Sequence, residues 1–285
     1  MFSEFAATGS SQSLCRLRRD SMQYFRIVTV FLGLMLLAMP VFAQDVVLPK
    51  VAKITRNKDG EITQVSLAGS SHNRLEITPE VMRTLSKLEH LQSLSLFGTT
   101  VNDDDLRELN ALEDLQTIDL SYTDITGASL ETLASHQKLT CVTLRSCDVQ
   151  DDHLESLKKI PQVHMLFLGR TKITDNGLKH LRHLSQLVGL ELSDCKISDN
   201  GLALLGELPV IQTLWLSKTI RYGYDDRSDF TDKSVEYLST LKTLLDLQIA
   251  DSQMTESGLA ELKEALPDCK VSTVRQGHTY LNARE

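Results

Sequence analysis

The sequence predicts an α/β solenoid in which repeated units place a parallel β-sheet on one side and short helices on the other. Three observations predict it: a repeat of 24 residues, a change of apolar period inside each repeat, and a polar residue suited to helix capping between the two halves. No unit of this length buries its apolar face alone, so the units must stack. Repeat starts fall at Leu91, Leu115, Leu139, Val163, Leu187 and Ile211.

The first half of each repeat predicts a short β-strand. Apolar and polar residues alternate there, as at Leu166 and Leu168 and again at Leu190 and Leu192. This is the period of a strand with one buried face. The side chains between the leucines are therefore expected to point away from the core.

The second half of each repeat predicts a short helix. Leu178, Leu181 and Leu184 recur every third residue, as on one stripe of a helix. Carboxylates in the first helical turn, such as Asp103 and Asp151, are expected to face the positive end of the helix dipole. A Thr or Ser at the helix start can accept a hydrogen bond from an unpaired backbone N–H. These residues are Thr126, Thr174, Ser198, Thr231 and Thr255.

Two irregular units flank the regular ones. The unit that opens at Ile62 is 29 residues long, and the unit that opens at Ile211 runs 33 residues before the next begins. Eight units and a closing half unit thus cover residues 62–273. A cap at 44–61 with a predicted β-hairpin strand precedes them, and a C-terminal tail at 274–285 follows. The chain has 285 residues, 41% of them hydrophobic, which leaves room for one such domain.

The shared pattern of the repeats resembles that of a known family. It reads L-x-x-L-x-L-x-x-[T/C]-x-I-T-D-x-G-L and keeps its register over residues 62–273. This resembles the leucine-rich repeat family, and the Thr or Cys after the strand is similar to that of F-box-associated repeats and of exported bacterial repeat proteins. The resemblance implies a leucine-rich-repeat solenoid, or horseshoe, with a concave parallel β-sheet and short helices on the convex side.

A column of small polar residues follows the strands, one in each unit. A hydroxyl or thiol here is expected to bond the backbone of the turn that leaves the strand, which is otherwise buried and unsatisfied. We interpret this column as a structural ladder. It consists of Thr99, Thr123, Cys147, Thr171, Cys195, Thr219 and Ser252.

Charge and motifs argue against several classes of function. The formal net charge is −8, whereas nucleic acid and anionic membrane surfaces attract clustered positive charge. Nucleophile-elbow, P-loop and zinc-protease motifs are absent from the sequence. His180 and His183 lie three residues apart, but no third ligand has metal-like spacing. We expect no catalytic residue, no metal and no cofactor.

The N-terminal residues predict export. Arg26 precedes an apolar run at residues 27–39, and cleavage by a signal peptidase is expected after Ala43. Residues 1–43 would then be an N-terminal extension and signal peptide, with Met22 as an alternative start. The sequence therefore predicts that the protein is secreted or periplasmic. The alternative is an uncleaved segment that anchors the protein, although the run is shorter than the about 20 residues of a full membrane span.

Four cysteines follow the predicted cleavage site, and we expect free thiols. Cys147 and Cys195 occupy the same column two units apart. At about 4.8 Å per strand their Cα atoms should lie roughly 10 Å apart, beyond the limit of about 7 Å for a disulfide. Cys141 and Cys269 are well separated along the stack.

We expect the binding site on the concave face, because side chains there point away from the core and are not needed to form it. Phe167 and Trp215, which we expect to be exposed there, flank Glu191, and aromatic residues with a nearby arginine dominate binding hot spots. The insertion at about residues 220–228 follows the strand with Trp215, and such loops often carry binding, although a merely tolerated insertion is the alternative. The candidate ligand-binding residues are Phe167, Trp215, Glu191, Arg145, Arg170, Lys218, Tyr222 and Tyr224.

These observations favour an exported, non-enzymatic module that binds a protein, or alternatively a glycan, on its concave sheet. The family resemblance also suggests a ubiquitin-ligase substrate adaptor, although the signal peptide and the short segment before Ile62 argue against it. A structural envelope spacer would bind nothing specific. A hydrolase or metal enzyme would have to use Asp119, Glu191 or Asp194, which have no positioned partner in the sequence pattern.

Overall fold

The computed structural model describes residues 48–217, 230–250 and 252–273. Ten strands in these residues form one open sheet in chain order. The first pair is antiparallel and all later pairs are parallel. The strands are β1 Lys53–Arg56, β2 Ile62–Ser66, β3 Ser93–Ser95, β4 Thr117–Asp119, β5 Cys141–Thr143, β6 Met165–Phe167, β7 Gly189–Glu191, β8 Thr213–Trp215, β9 Asp246–Gln248 and β10 Lys270–Ser272.

Short helices return the chain from each strand to the next. Three of the connecting segments are 3-10 helices, Asp151–Lys159, Leu181–His183 and Ala203–Glu207. Side chains three residues apart eclipse in a 3-10 helix, which explains why the leucines recur every third residue. The α-helices are α1 Pro79–Leu85, α2 Asp103–Arg107, α3 Ser129–Leu133, α4 Asp175–Leu178, α5 Asp199–Leu202, α6 Ser234–Leu238 and α7 Glu256–Ala265.

The strand register confirms the predicted solenoid. Leu166 pairs with Leu190, and Leu190 pairs with Leu214, at the spacing of one repeat. The two irregular units keep the same register, because Val65 lies opposite Leu94 and Leu214 lies opposite Leu247. The leucines of these columns have no exposed surface and form one continuous core between sheet and helices.

A β-hairpin covers the first edge of the parallel strands. The turn between β1 and β2 is closed by Asn57, whose side-chain oxygen accepts hydrogen bonds from the amides of Asp59 and Glu61, each at 3.0 Å. Gly60 has a φ of 85°, a left-handed conformation that favours glycine.

The polar column after the strands bonds the backbone in two ways. The threonine hydroxyls donate within their own unit, for example from Thr123 to the Leu120 carbonyl at 2.6 Å. The cysteine thiols donate to the unit before, since the Cys147 sulfur lies 3.0 Å from the same Leu120 carbonyl. A carbonyl oxygen has two lone pairs and can accept both bonds. Thr99, Thr171 and Cys195 repeat these two arrangements, Ser252 is half-buried, and Thr219 lies outside the described residues.

A second ladder joins the helix starts. Asp175 does not simply face the helix dipole, because its carboxylate accepts bonds from the amide and hydroxyl of Ser198 in the next unit, at 2.8 and 2.5 Å. Asp151 does the same with Thr174, at 2.7 and 2.6 Å. The dipole interpretation therefore missed the main partner of these carboxylates. The other pairs of this ladder are Asp103 with Thr126, Asp199 with Thr231, and Asp232 with Thr255.

The glycine of the repeated D-x-G sequence makes room for this ladder. A Cβ at Gly201 would lie 2.1 Å from the Asp175 carboxylate oxygen, and a Cβ at Gly177 would lie 2.5 Å from that of Asp151. In a well-packed interior such a contact forces the neighbour to move. The near-identical segments therefore encode the contact between consecutive units.

The cysteines follow the expectation of free thiols with one exception. Cys147, Cys195 and Cys269 are free. Cys141 is disulfide-bonded, which contradicts the expectation for this residue. The spacing argument against a disulfide between Cys147 and Cys195 is confirmed, because both are free.

Candidate functional site

The concave face is organised in columns that run across the strands. The register aligns Asp119, Thr143, Phe167, Glu191 and Trp215 in one column over β4 to β8. Their side chains share one face of the sheet, because successive residues of a strand alternate between faces. The sequence pattern therefore correctly predicted that three of the candidate residues, Phe167, Glu191 and Trp215, share one face of the sheet.

An aromatic stack lies at the centre of this face. The Phe167 ring packs on the Trp215 ring with their centroids 5.7 Å apart and their planes 25° apart. The guanidinium carbon of Arg145 lies 4.9 Å from the centroid of the Phe167 ring, within the range of a cation–π contact. We call Arg145, Phe167 and Trp215 the central stack.

The expectation that Phe167 is exposed is wrong. Its side chain is fully buried and belongs to a small apolar cluster with Cys141 and Met165, against which Trp215 packs. Trp215 is half-buried and is the aromatic member of the stack that keeps exposed surface. Sequence reasoning overestimated the exposure of Phe167 because it assigned each side chain to a face without the neighbours that pack beside it.

An ion pair anchors the arginine of the stack. The Arg145 Nε lies 2.5 Å from a carboxylate oxygen of Glu191, and the exposed fractions of the two side chains are 22% and 9%. The pair reaches across the unit of β6, where Gly169, two residues after the end of that strand, would place a Cβ 3.0 Å from the Glu191 carboxylate. The glycine therefore leaves the space that the carboxylate occupies. Glu191 was predicted as a ligand contact, but its charge is already balanced by Arg145.

A second glycine makes room for the thioether beside the stack. A Cβ at Gly189 would lie 2.4 Å from the sulfur and the terminal methyl of Met165, and 3.8 Å from the Trp215 ring. Met165 thus fills the space between β6 and β8 at the edge of the indole. The sequence contained this signal as a glycine within a predicted strand, a residue that often marks a close approach.

A row of polar and aromatic side chains lines the turn at the end of the strands. Arg170 pairs with Asp194 at 2.9 Å and donates to the Tyr122 hydroxyl at 3.1 Å. Phe97 packs on Tyr122 with their ring centroids 5.2 Å apart. Arg170 was predicted as a ligand-binding residue, and the structure places it in this row rather than in the central stack.

The backbone under this row has a left-handed conformation. Tyr122, Ser146, Arg170 and Asp194 have φ values between 57° and 60°, whereas Gly98 occupies the equivalent position with a φ of 63°. A non-glycine residue in this region costs about 1 kcal/mol or more. Side chains therefore stand at positions where the backbone favours glycine.

The first half of the concave face is polar. Asp119 is buried, and its carboxylate accepts bonds from the amide and the hydroxyl of Ser121 at 3.1 and 2.7 Å. Burial raises the pKa of Asp119, and these bonds together with the charge of Arg145 oppose the rise. The column through Asp119 is therefore polar on β3 to β5, whereas on β6 to β8 it carries the two aromatic rings and Glu191.

The remaining predicted site residues lie outside the described residues. These are Lys218, Tyr222 and Tyr224, so their contribution stays a prediction. Among residues 48–217, 230–250 and 252–273, no three His, Cys, Asp or Glu side chains are grouped to hold a metal ion. In the same part of the chain no helix has the length and apolar character needed to span a bilayer.

Comparison with protein families identifies the repeats. The family described as "Leucine Rich repeat" matches residues 179–206, which contain one of the two near-identical segments in part and the other in full. The repeats are leucine-rich repeats. A comparison with curated proteins finds no match.

Solved structures of other leucine-rich repeat proteins share the fold. An internalin from Listeria monocytogenes is 22% identical over 74% of this chain and 61% of its own, with a TM-score of 0.50. The leucine-rich repeat ectodomain of the Arabidopsis receptor kinase HAESA, in complex with an IDA peptide hormone, is 18% identical over 77% of this chain and 35% of its own, with a TM-score of 0.53. This chain thus spans less than two thirds of either structure, and these identities establish the fold alone.

Proposed function

We propose that this leucine-rich repeat protein is a non-enzymatic binding module that recognises a protein partner through its concave face. The observation that carries the proposal is the central stack, whose half-buried Trp215 rests on the buried ring of Phe167. Tryptophan and arginine are enriched among residues that dominate protein interfaces. The HAESA ectodomain, which has the same fold, holds a peptide hormone ligand.

The stack supports recognition because its members are held before any partner arrives. Arg145 is fixed by Glu191, and Phe167 lies between Arg145 and Trp215. Side chains that are already ordered lose little entropy on binding, so more of the contact energy appears as affinity. The glycines at 169 and 189 contribute by leaving space for Glu191 and Met165.

The carboxylates of the concave face argue for binding rather than catalysis. Glu191 is paired with Arg145, and Asp194 is paired with Arg170. Asp119 bonds the Ser121 amide and hydroxyl. General acid–base chemistry requires a carboxyl group within reach of a reacting group or a nucleophile. The hydrogen bonds of these three carboxylates instead fix neighbouring side chains of the concave face.

The proposal is tested by capture of proteins from an envelope extract on the immobilised full chain. Trp215→Ala should abolish capture of the partner. Val210→Ala is the matched control, because Val210 is an exposed apolar residue that precedes the same strand and lies off the concave face. Equal capture by all three proteins would place the site elsewhere, and no capture by any would favour a spacer without a specific ligand.

We also propose that the protein acts outside the cytoplasm. The support is the sequence of residues 1–43, in which Arg26 precedes the apolar run at residues 27–39 and Ala43 follows at the expected cleavage site. Fractionation of cells followed by N-terminal sequencing of the exported protein should find Gln44 as the first residue. Recovery of the protein in the cytoplasm with an intact N-terminus would overturn this proposal and leave the binding proposal unaffected.

A further inference from the structure

A set of hydroxyl and carboxyl groups lies beside the central stack on the same face of the sheet. Its members are Ser93, Ser95, Asp119, Ser121 and Thr143, on β3, β4 and β5 and the turn after β4, and all are buried. We call them the polar floor. Ser95 and Thr143 lie opposite Asp119 on the two neighbouring strands.

The carboxylate of the polar floor has no cationic side chain bonded to it. Asp119 forms no ion pair within the described residues. The amide and hydroxyl of Ser121 donate to its carboxylate, and a hydrogen bond from the Ser95 side chain also favours its charged form. Arg145 is near enough to favour the charged form of Asp119, but its own ion pair is with Glu191. A buried charge without a paired cation is costly, so this position favours a positively charged partner.

Two hydroxyls of the polar floor have no hydrogen-bond partner among the described residues. The oxygens of Ser93 and Thr143 are buried and accept or donate no hydrogen bond within the described part of the chain. Native proteins leave few buried polar groups unpaired, so each such group requires an explanation, and an absent ligand is one. Thr143 lies opposite Asp119 on β5, so its unpartnered hydroxyl points to the same place and is independent of the charge of Asp119.

Resting on the proposed function, we propose that the polar floor binds a lysine or arginine side chain of the partner peptide, while an apolar side chain of the same peptide packs on Trp215. A lysine ammonium has three donors and an arginine guanidinium has five. Either can bond the Asp119 carboxylate and the adjacent Thr143 hydroxyl together. A neutral amide or sugar hydroxyl would satisfy the oxygens but leave the carboxylate charge unbalanced.

The geometry of the sheet sets the spacing of the two peptide residues. Asp119 is on β4 and Trp215 is on β8, four strand steps away. At about 4.8 Å per step and about 3.3 Å per residue of extended chain, this distance corresponds to about six residues of peptide that crosses the strands. The basic and apolar residues of the ligand should therefore lie about that far apart.

The test is a selection of displayed random peptides on three immobilised full-length proteins. These are the unmodified protein, Asp119→Asn and Glu113→Gln, where Glu113 is an exposed carboxylate in the turn before β4. Peptides selected on the unmodified protein and on the Glu113 variant should be enriched in Lys or Arg with an aromatic or large aliphatic residue at the predicted spacing. The basic residue should lose its enrichment on Asp119→Asn.

Affinity measurements on one selected peptide then test the contact directly. Replacing its basic residue by norleucine should weaken binding to the unmodified protein about tenfold, the scale of one charge-assisted hydrogen bond. The same peptide should bind Asp119→Asn with a similar loss, and the two changes together should weaken it little further. The peptide change needs no protein variant, so it stays informative even if Asp119→Asn unfolds.

The outcomes separate this inference from the proposed function. The selected peptides are also tested for binding to Trp215→Ala. Peptides that lose binding to this variant but show no basic residue overturn the inference and leave the concave binding site intact. A basic residue that is enriched equally on Asp119→Asn shows attraction to the net negative charge of the protein and also overturns it. If no peptide is selected on the unmodified protein, both the inference and the concave peptide site are overturned.

Discussion

Gly177, Gly201 and Gly258 are glycines because a carboxylate from the preceding unit occupies the space that a Cβ would need. The D-x-G sequence is visible in the repeats, but its reason is not, since the carboxylate that fills the space belongs to another unit. Gly169 and Gly189 follow the same rule on the concave face, where Glu191 and Met165 fill the space. Single residues therefore report contacts between units.

Gly201→Ala should lower the free energy of unfolding by about 1 to 3 kcal/mol, the usual cost of overpacking. Its new methyl group would lie 2.1 Å from the Asp175 carboxylate. Gly206→Ala is the control, because its nearest neighbour is the Thr240 hydroxyl at 3.7 Å, and it should change stability by less than about 1 kcal/mol. Urea unfolding of both variants measures the difference. Equal midpoints would contradict the predicted close approach.

Cys147 and Cys195 should make stability fall at alkaline pH. Burial raises the pKa of both thiols to about 11. Below about pH 9 the folded and unfolded states are both protonated, so nothing changes. Between about pH 9 and pH 11 the unfolded chain loses protons that the folded chain keeps, so stability falls with rising pH, by about 3 kcal/mol per thiol once the folded pKa is passed.

The thiol contribution is measured against a double variant, Cys147→Thr with Cys195→Thr. Threonine occupies the equivalent position at residues 99, 123 and 171 and bonds the backbone there. Between neutral and alkaline pH, the free energy of unfolding should fall more for the unmodified protein than for the variant. An identical alkaline loss in both proteins would mean that other groups cause it.

At the scale of elements, no strand or helix of the repeats is long enough to be stable alone. The parallel strands after β2 have three residues each, and the helix α4 has four. Isolated helices shorter than about 12 residues are marginal in water. Their stability must come from neighbouring units, and the Asp ladder and the thiol or hydroxyl ladder are the polar parts of that contact.

Asp175→Ala should lower the free energy of unfolding by about 1 to 3 kcal/mol, because it leaves the amide and hydroxyl of Ser198 without their acceptor. Asp152→Ala is the control, since Asp152 is an exposed carboxylate in the equivalent helix start of another unit. It should change stability by less than about 0.5 kcal/mol. The Asp175 variant should also reduce the cost of Gly201→Ala, and additive costs would argue against the contact between these residues.

At the scale of the whole molecule, one core runs through all the units. Leu190 is fully buried in it, with Leu166 and Leu214 opposite on the adjacent strands. The family match and the structural neighbours agree with this architecture. Solenoids of this kind are stabilised by contacts between neighbouring units, so a defect in one unit weakens its neighbours.

Leu190→Ala should lower the free energy of unfolding by about 2 to 5 kcal/mol, because the surrounding leucines cannot close the cavity completely. Leu245→Ala removes the same atoms from a side chain that is 52% exposed and should cost far less. Chemical denaturation of both variants compares them. An unchanged midpoint for the Leu190 variant would refute the stacking register.

The sequence by itself determined the repeat length, the strand and helix halves of each unit, the register of the sheet and the column that joins Asp119 to Trp215. These features repeat along the chain, so each unit supports the interpretation of the others. Only the tertiary structure decided that Phe167 is buried, that Glu191 pairs with Arg145, and that the helix-start carboxylates bond the next unit. The helix-start contacts join residues 23 positions apart and the Arg145–Glu191 pair joins residues 46 apart, and side chains at such distances meet only after the units have stacked.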